Sequence, residues 1–199
     1  DTNLNEYRKI GSQASFNCVG RYSTSEESKD FAAGVLVASN WVLTAAHFVD
    51  DSSVWYFGSS YYHTQEVQRH PKLYQLPEDR PAQFDGVDLA LVKLDRKVEG
   101  VQPATIYVGE EELGLVITKI GYGFLGDGLL GMKSPRVQER LGGHNTIDQI
   151  GGEINGIKLS SDVLVCDFDD PQSDTLNRLG SPVPLMLEIG GSKGDSGGG

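Results

Sequence analysis

Cysteine is nearly absent from this chain, with two in 199 residues, Cys18 and Cys166. That excludes a disulfide framework, since one bridge is the most they allow. Free buried thiols are the preferred reading, because cysteine is among the residues most often buried. Long apolar runs are missing too. The longest, residues 31–38, is eight positions, well short of the roughly 20 that a membrane-crossing helix needs. Positive charge is scarce. Lys and Arg number 17 against 28 Asp and Glu, and the net charge of −11 has the wrong sign for a nucleic-acid backbone or an anionic membrane. No apolar stripe at helical spacing is long enough to anchor an α/β fold. An initiator Met and a basic-then-apolar leader are also lacking, so a secretory signal, if one is made, is expected to have been removed already.

What is present reads as all-β. Strand-like apolar runs fall at residues 14–21, 33–38, 41–44, 54–57, 64–69, 89–94, 116–121, 146–150, 157–159, 163–168 and 184–189. Their spacing, with Gly, Pro, Asp and Ser between them, predicts a barrel or sandwich. Polar insertions at 23–30, 76–85 and 126–135 predict surface loops. Of the 25 glycines, 17 lie from Gly121 onward, so the second half is expected to carry more tight turns. A polar connector at 109–114 marks a halfway boundary.

Three segments carry chemistry. Thr44-Ala45-Ala46-His47 follows an apolar strand, and small neighbours leave one side of a histidine ring free for a substrate. Asp88 heads the nearly continuous apolar run 89–92 and is drawn toward the interior, where an unpaired carboxylate is costly. An imidazole N–H is a suitable partner, and Asp85, on the turn side of Gly86, is expected to be solvated. Ser196 stands in Gly194-Asp195-Ser196-Gly197-Gly198-Gly199. Glycines there let the backbone bend sharply and bring amide N–H groups close to a reacting carbonyl.

In the order His, Asp, Ser these segments resemble the trypsin/chymotrypsin-like serine protease family. His70-Pro71-Lys72-Leu73-Tyr74 and Gly121-Tyr122-Gly123 are similar to further family stretches, and residues 140–148 and 167–170 look like segments of its secreted bacterial branch. The resemblance implies two six-stranded antiparallel β-barrels, residues 1–112 carrying the histidine and aspartate and 113–199 carrying the serine. It implies a peptide-bond hydrolase with His47 as base, Asp88 as its orienting acid and Ser196 as nucleophile. Gly194 and Ser196 would supply the oxyanion-hole amides. Asp195 is expected to pair with a new α-ammonium at Ile10, freed by cleavage after Arg8-Lys9. Gly190, six residues before Ser196, falls where the family's specificity pocket takes its deciding residue. His70 is then structural, and His63 and His144 are expected at the surface.

The pattern departs in places. Phe48 stands where a cysteine usually follows the histidine, and Ser192 where one often precedes the Gly-Asp-Ser-Gly, so packing must replace cross-links. The family's second barrel continues for several strands past the serine, whereas this chain stops three residues after it. An incomplete second barrel, with little or no activity from these 199 residues, is the expectation. Asp167, Asp169 and Asp170 are hard-oxygen ligands of the kind Ca²⁺ takes, but a solvated turn is the preferred reading and no cofactor or metal is expected. A polypeptide substrate, no nucleic-acid or membrane partner, a monomer, and a secreted, periplasmic or cell-surface location complete the picture. Rival readings are a non-catalytic binding module or inactive fragment on the same scaffold, and a β-rich Ca²⁺-binding surface domain.

Overall fold

The apolar alternation of the first half closes on itself. Its strands are β1 (Val19–Ser23), β2 (Ala32–Ala38), β3 (Trp41–Thr44), β4 (Val54–Phe57), β5 (Ser60–Arg69) and β6 (Ala90–Leu94). They form a closed barrel in the order β1-β2-β3-β6-β5-β4, each neighbouring pair antiparallel. In β6, Ala90, Val92 and Leu94 face inward and Leu91 faces out, the period of two that a half-buried strand requires. Trp55, Leu36, Val42, Val92 and Leu94 are fully enclosed. Burying side chains of this size stabilises by roughly 1.5–3 kcal/mol each. Gly34 lies against the Trp55 ring and the Val42 side chain, and a Cβ there would collide with both, so the packing leaves room for no larger residue.

The structure, a computed structural model, describes residues 4–25, 32–127, 131–133, 139–170, 172 and 178–199. Its second half is less complete. The strands β7 (Val116–Gly121), β8 (Leu125–Asp127), β9 (Gly131–Lys133), β10 (Leu141–Thr146), β11 (Gln149–Ile154) and β12 (Ile157–Val165) pair only two by two, as β7 with β10, β8 with β9 and β11 with β12. The β11–β12 hairpin turns on Asn155 and Gly156, both at positive φ (52° and 80°), as a tight hairpin favours. A short helix, α1 (Leu4–Gly11), lies on β10. Arg140 donates to the Gly11 carbonyl (2.6 Å), the Val19 carbonyl (3.2 Å) and Asn17 (2.9 Å), which ties the helix to both halves.

The expected all-β character holds, with corrections in detail. The helix α1 was not foreseen, since its apolar face is only two turns long. Residues 14–16 form a 3₁₀ turn, and the first strand starts at Val19. The predicted strand at 146–150 straddles two strands, and those at 157–159 and 163–168 are one, ending at Val165. Residues 184–189 hold only an isolated bridge, Glu188 with His144. Of the predicted loops, residues 26–30, 128–130 and 134–135 lie outside the described residues. The loop at 76–85 ends in a 3₁₀ turn (Ala82–Asp85). Arg80 braces it, bonding Asp85 (2.6 and 3.1 Å) and the Lys158 carbonyl (2.8 Å). Among the described residues no helix is long and apolar enough to cross a membrane.

Candidate active site

The register of two strands brings the first pair of residues together. Thr44, the last residue of β3, pairs with Ala90, the first of β6. His47 therefore emerges beside Asp88. The Asp88 carboxylate takes two hydrogen bonds from this one residue, from the His47 backbone N–H to Oδ1 (2.9 Å) and from Nδ1 to Oδ2 (2.6 Å). A third link runs from the Ala46 N–H to the Asp88 carbonyl (3.2 Å). An ionised carboxylate can only accept, so Nδ1 carries a proton, and in the neutral ring Nε2 is then the nitrogen with the lone pair. The Asp88 side chain is 12% exposed and that of His47 54%. The acid is enclosed and satisfied while the far edge of the ring is open.

Ser196 reaches the same strand end from the other terminus. Its carbonyl accepts the Ala33 N–H of β2 (2.8 Å), and the Ala33 carbonyl accepts the buried Thr44 hydroxyl (2.7 Å). Gly197 presses so closely on the Ala33 carbonyl, Thr44 Oγ1 and the Ala45 amide that a Cβ would overlap them. The serine segment is thus seated on the barrel two residues before His47. A bond from Gly198 N–H to the Asp195 carbonyl (2.8 Å) closes a tight turn with Ser196 second and Gly197, φ 74°, third, a conformation glycine adopts without strain. Among the described residues, Ser196 Oγ and His47 Nε2 have no hydrogen-bond partner and are not bonded to each other. The amides of Gly194 and Ser196 also donate to no described group.

A family model described as Trypsin matches residues 9–151. The chain belongs to the trypsin family. The matched span takes in His47 and Asp88 and ends before Ser196. Among solved structures, one titled "Structure of GrC" is similar at 19% identity with a TM-score of 0.53, over 67% of this chain and 61% of that one. At that identity the likeness is one of fold. The chain spans less than two thirds of that relative's length. No curated protein matches the sequence.

For a trypsin-family chain, the surroundings of the site differ from expectation in informative ways. Phe48 packs edge-on against Tyr22 (4.7 Å between ring centres), which packs edge-on against Trp55 (5.4 Å). The Tyr22 hydroxyl also holds the Phe48 carbonyl (3.0 Å). An aromatic column anchored in the barrel core thus lies under His47. Cys18 and Cys166 are both free, the first buried and the second half-buried, and burial pushes both thiols up.

Asp195 is satisfied locally. Its carboxylate accepts the Gly123 N–H (2.7 Å) and the Ser192 N–H (3.0 Å), and the Ser192 hydroxyl lies between it (3.0 Å) and the Phe124 carbonyl (2.8 Å). Gly121 and Gly123 sit so near this carboxylate that a Cβ on either would meet it. That is the physical content of the Gly121-Tyr122-Gly123 motif here. Ile10, its expected partner, is an internal residue of α1 packed toward Gly142, so this structure holds a different pairing from the one the resemblance implies. Gly190 is half-buried, with Phe168 within ordinary contact of the position a side chain would take.

The acids at 167–170 diverge. Asp167 accepts the Arg178 and Leu179 N–H groups (3.0 and 2.9 Å), and Asp170 caps the Gln172 N–H (2.8 Å). Asp169 turns inward. Among the described residues no group of three or more His, Cys, Asp and Glu is arranged to hold a metal ion. His70 accepts the Lys72 N–H (3.3 Å). His144, expected at the surface, is half-buried with its ring on the Thr118 hydroxyl (3.2 Å). Sequence reasoning missed Ala33, which acts through its backbone and leaves no side-chain signal. It also missed Thr44 as a buried bracket, although Thr44 stood inside the quoted motif.

Proposed function

We propose that the protein is a serine endopeptidase. His47 Nε2 takes the Ser196 Oγ proton as the oxygen attacks a peptide carbonyl. Asp88 holds the ring through Nδ1–H and stabilises the imidazolium. The Gly194 and Ser196 amides, uncommitted within the fold, are the donors for the oxyanion. Loss of one such donor costs about 3–4 kcal/mol of transition-state stabilisation. The imidazolium then protonates the leaving amine, and water, activated by the same histidine, clears the acyl-enzyme. The proposed sequence calls on side chains, amides and water, and on no cofactor.

The observation that carries the reading is the pair of hydrogen bonds from His47 to Asp88, beside a serine turn seated on Ala33. Apo catalytic hydrogen bonds are often long and tighten only with substrate bound, so the unmade Nε2–Oγ contact is compatible with it. That same unmade contact is what favours the second reading, a non-catalytic binding module on the same scaffold. Covalent labelling by a fluorophosphonate separates the two. Labelling that disappears in Ser196→Ala supports the hydrolase, and absence of labelling in the wild-type chain supports the module.

Cleavage before Ile10 belongs to the same reading. The new ammonium would replace the Gly123 and Ser192 donors on Asp195, after opening of the last turn of α1. Active material whose N-terminus is not Ile10 would dismiss it. Polypeptide substrates, a monomeric state, no nucleic-acid partner and a location outside the cytoplasm or at the cell surface complete the proposal.

A further inference from the structure

The ladder between β2 and β3 stops before β2 does. Its last pair is Val35 with Leu43, and beyond Thr44 the chain turns away, with the Ala46 N–H on the Asp88 carbonyl (3.2 Å). Ala33, two residues further along β2, has Arg21 of β1 beside it but no residue of β3. It is fully buried (0% exposed), so its N–H and carbonyl must both be satisfied inside the fold. Two distant parts of the chain do this. The N–H goes to the Ser196 carbonyl (2.8 Å), and the carbonyl accepts the Thr44 hydroxyl (2.7 Å). Thr44 is itself 2% exposed, and its Oγ1 lies where a Cβ on Gly197 would fall. One buried hydroxyl therefore holds the residue that seats Ser196 and lies against the residue that follows it. The same side chain stands three positions before His47.

We propose that Thr44 is a positioning residue for the nucleophile. Its hydroxyl stands in for the strand amide that β3 no longer supplies, fixes the Ala33 peptide, and so sets where Ser196 lies relative to His47. For its catalytic consequence this rests on the protease reading, whereas the seating of Ser196 rests on the fold alone. Threonine suits the task because its hydroxyl donates while its branched Cβ restricts χ1. Valine has nearly the same shape but donates nothing, and would leave a buried carbonyl without that partner. Thr44 Oγ1 bonds Ala33 and not His47, Asp88 or the Ser196 hydroxyl, so its effect on the chemistry passes through Ala33 and Gly197. Small displacements matter at such a site, since an error of about 1 Å in the reacting groups can lower a rate roughly a hundredfold. A threonine that merely filled space would add stability and leave the serine segment indifferent to its hydroxyl.

The test compares Thr44→Val, Thr44→Ser and wild type in the 199-residue chain by native-state amide hydrogen exchange. The reporters are the Ala33 amide, bonded to Ser196, and the amides of Leu36 and Leu94, bonded within the barrel half to Cys18 (2.8 Å) and Asn40 (2.9 Å). Thr44→Val should speed exchange at Ala33 by roughly tenfold more than at Leu36 and Leu94, and Thr44→Ser should restore it. Thr44→Ala removes the hydroxyl without crowding Gly197 and should act as Thr44→Val does, which keeps the test decisive if the valine variant does not fold. Fluorophosphonate labelling of Ser196 should slow by roughly tenfold or more in Thr44→Val, and peptide or ester turnover should lose kcat with KM unchanged. Equal acceleration at all three amides would show a purely structural role and overturn the proposal. So would a serine variant that behaves like the valine one, or labelling of Thr44→Val at the wild-type rate. A wild-type chain that does not label defeats the protease reading, while the Ala33 arm still decides whether Thr44 seats Ser196.

Discussion

Residues 19–94 close a barrel in which every strand has two partners, whereas among the described residues the strands between 116 and 165 pair only two by two. The closed half holds His47 and Asp88 by its own strand register and three local hydrogen bonds. The open half carries the serine but does not seat it alone. Ser196 leans on Ala33, Gly197 on Thr44 and Ala45, and the terminal Gly199 exchanges backbone hydrogen bonds with Ile120. The difference teaches where rigidity comes from in this molecule. A closed strand array fixes His47 and Asp88, and the Ser196 segment becomes positioned by docking onto it.

Four tests would break or sharpen that comparison, taken from the largest effect down. Asp88→Asn removes the acceptor that fixes the ring tautomer. Peptide or ester turnover should fall by roughly 10⁴-fold in kcat, the size known for this change within a Ser-His-Asp triad. A loss below tenfold would show that Asp88 does not orient the base. Next comes Trp55→Ala, at the enclosed centre of the barrel, which should cost about 3–5 kcal/mol in denaturant unfolding. Met186→Ala in the open half, 86% exposed, should stay within about 0.5 kcal/mol. Equal costs would erase the contrast between the halves.

Gly197→Ala tests the docking itself. Both Gly197 and Gly100 have positive φ (74° and 71°), but a Cβ at 197 meets Ala33, Thr44 and Ala45 while one at 100 meets nothing. Backbone strain of about 1–3 kcal/mol is common to both. Loss of fluorophosphonate labelling with the barrel still folded is expected for Gly197→Ala alone, and labelling equal to that of Gly100→Ala would remove the docking account.

The smallest effect concerns charge. Burial first, then Glu188, Asp167 and Asp148, push Asp169 up from 3.8 to about 6. Its folded-state value lies above the unfolded one, so the folded chain binds the extra proton. This contribution favours folding below about pH 4 and is lost as the pH rises through 6. Asp169→Asn should therefore raise Tm at neutral pH and leave it unchanged near pH 4. Melting curves across that range decide it, and a variant less stable at neutral pH would contradict the sign.

Much of this was legible from the chain. The barrel strands follow from alternation, because β3 and β6 each place alternate side chains inward and show it in composition. His47 and Asp88 were legible because each closes or opens such a strand. The serine was legible from its glycines, which have few other reasons to cluster. The helix α1 and the missing strand at 184–189 were not. In both, tertiary contacts decide the backbone, namely α1 against β10 and the Glu188 carboxylate holding Asp169 and Leu185.

The order of residues by itself determined the all-β class, the residue types available for acyl transfer and the acidic character of the surface, since these depend on local pattern and composition. Only the folded arrangement decided that Asp88 grips His47 at two atoms, that Asp195 is held by Gly123 and Ser192 rather than by Ile10, and that Asp169 is left without a partner. Each of these depends on distances of a few ångströms between residues far apart in the chain, which no local pattern encodes.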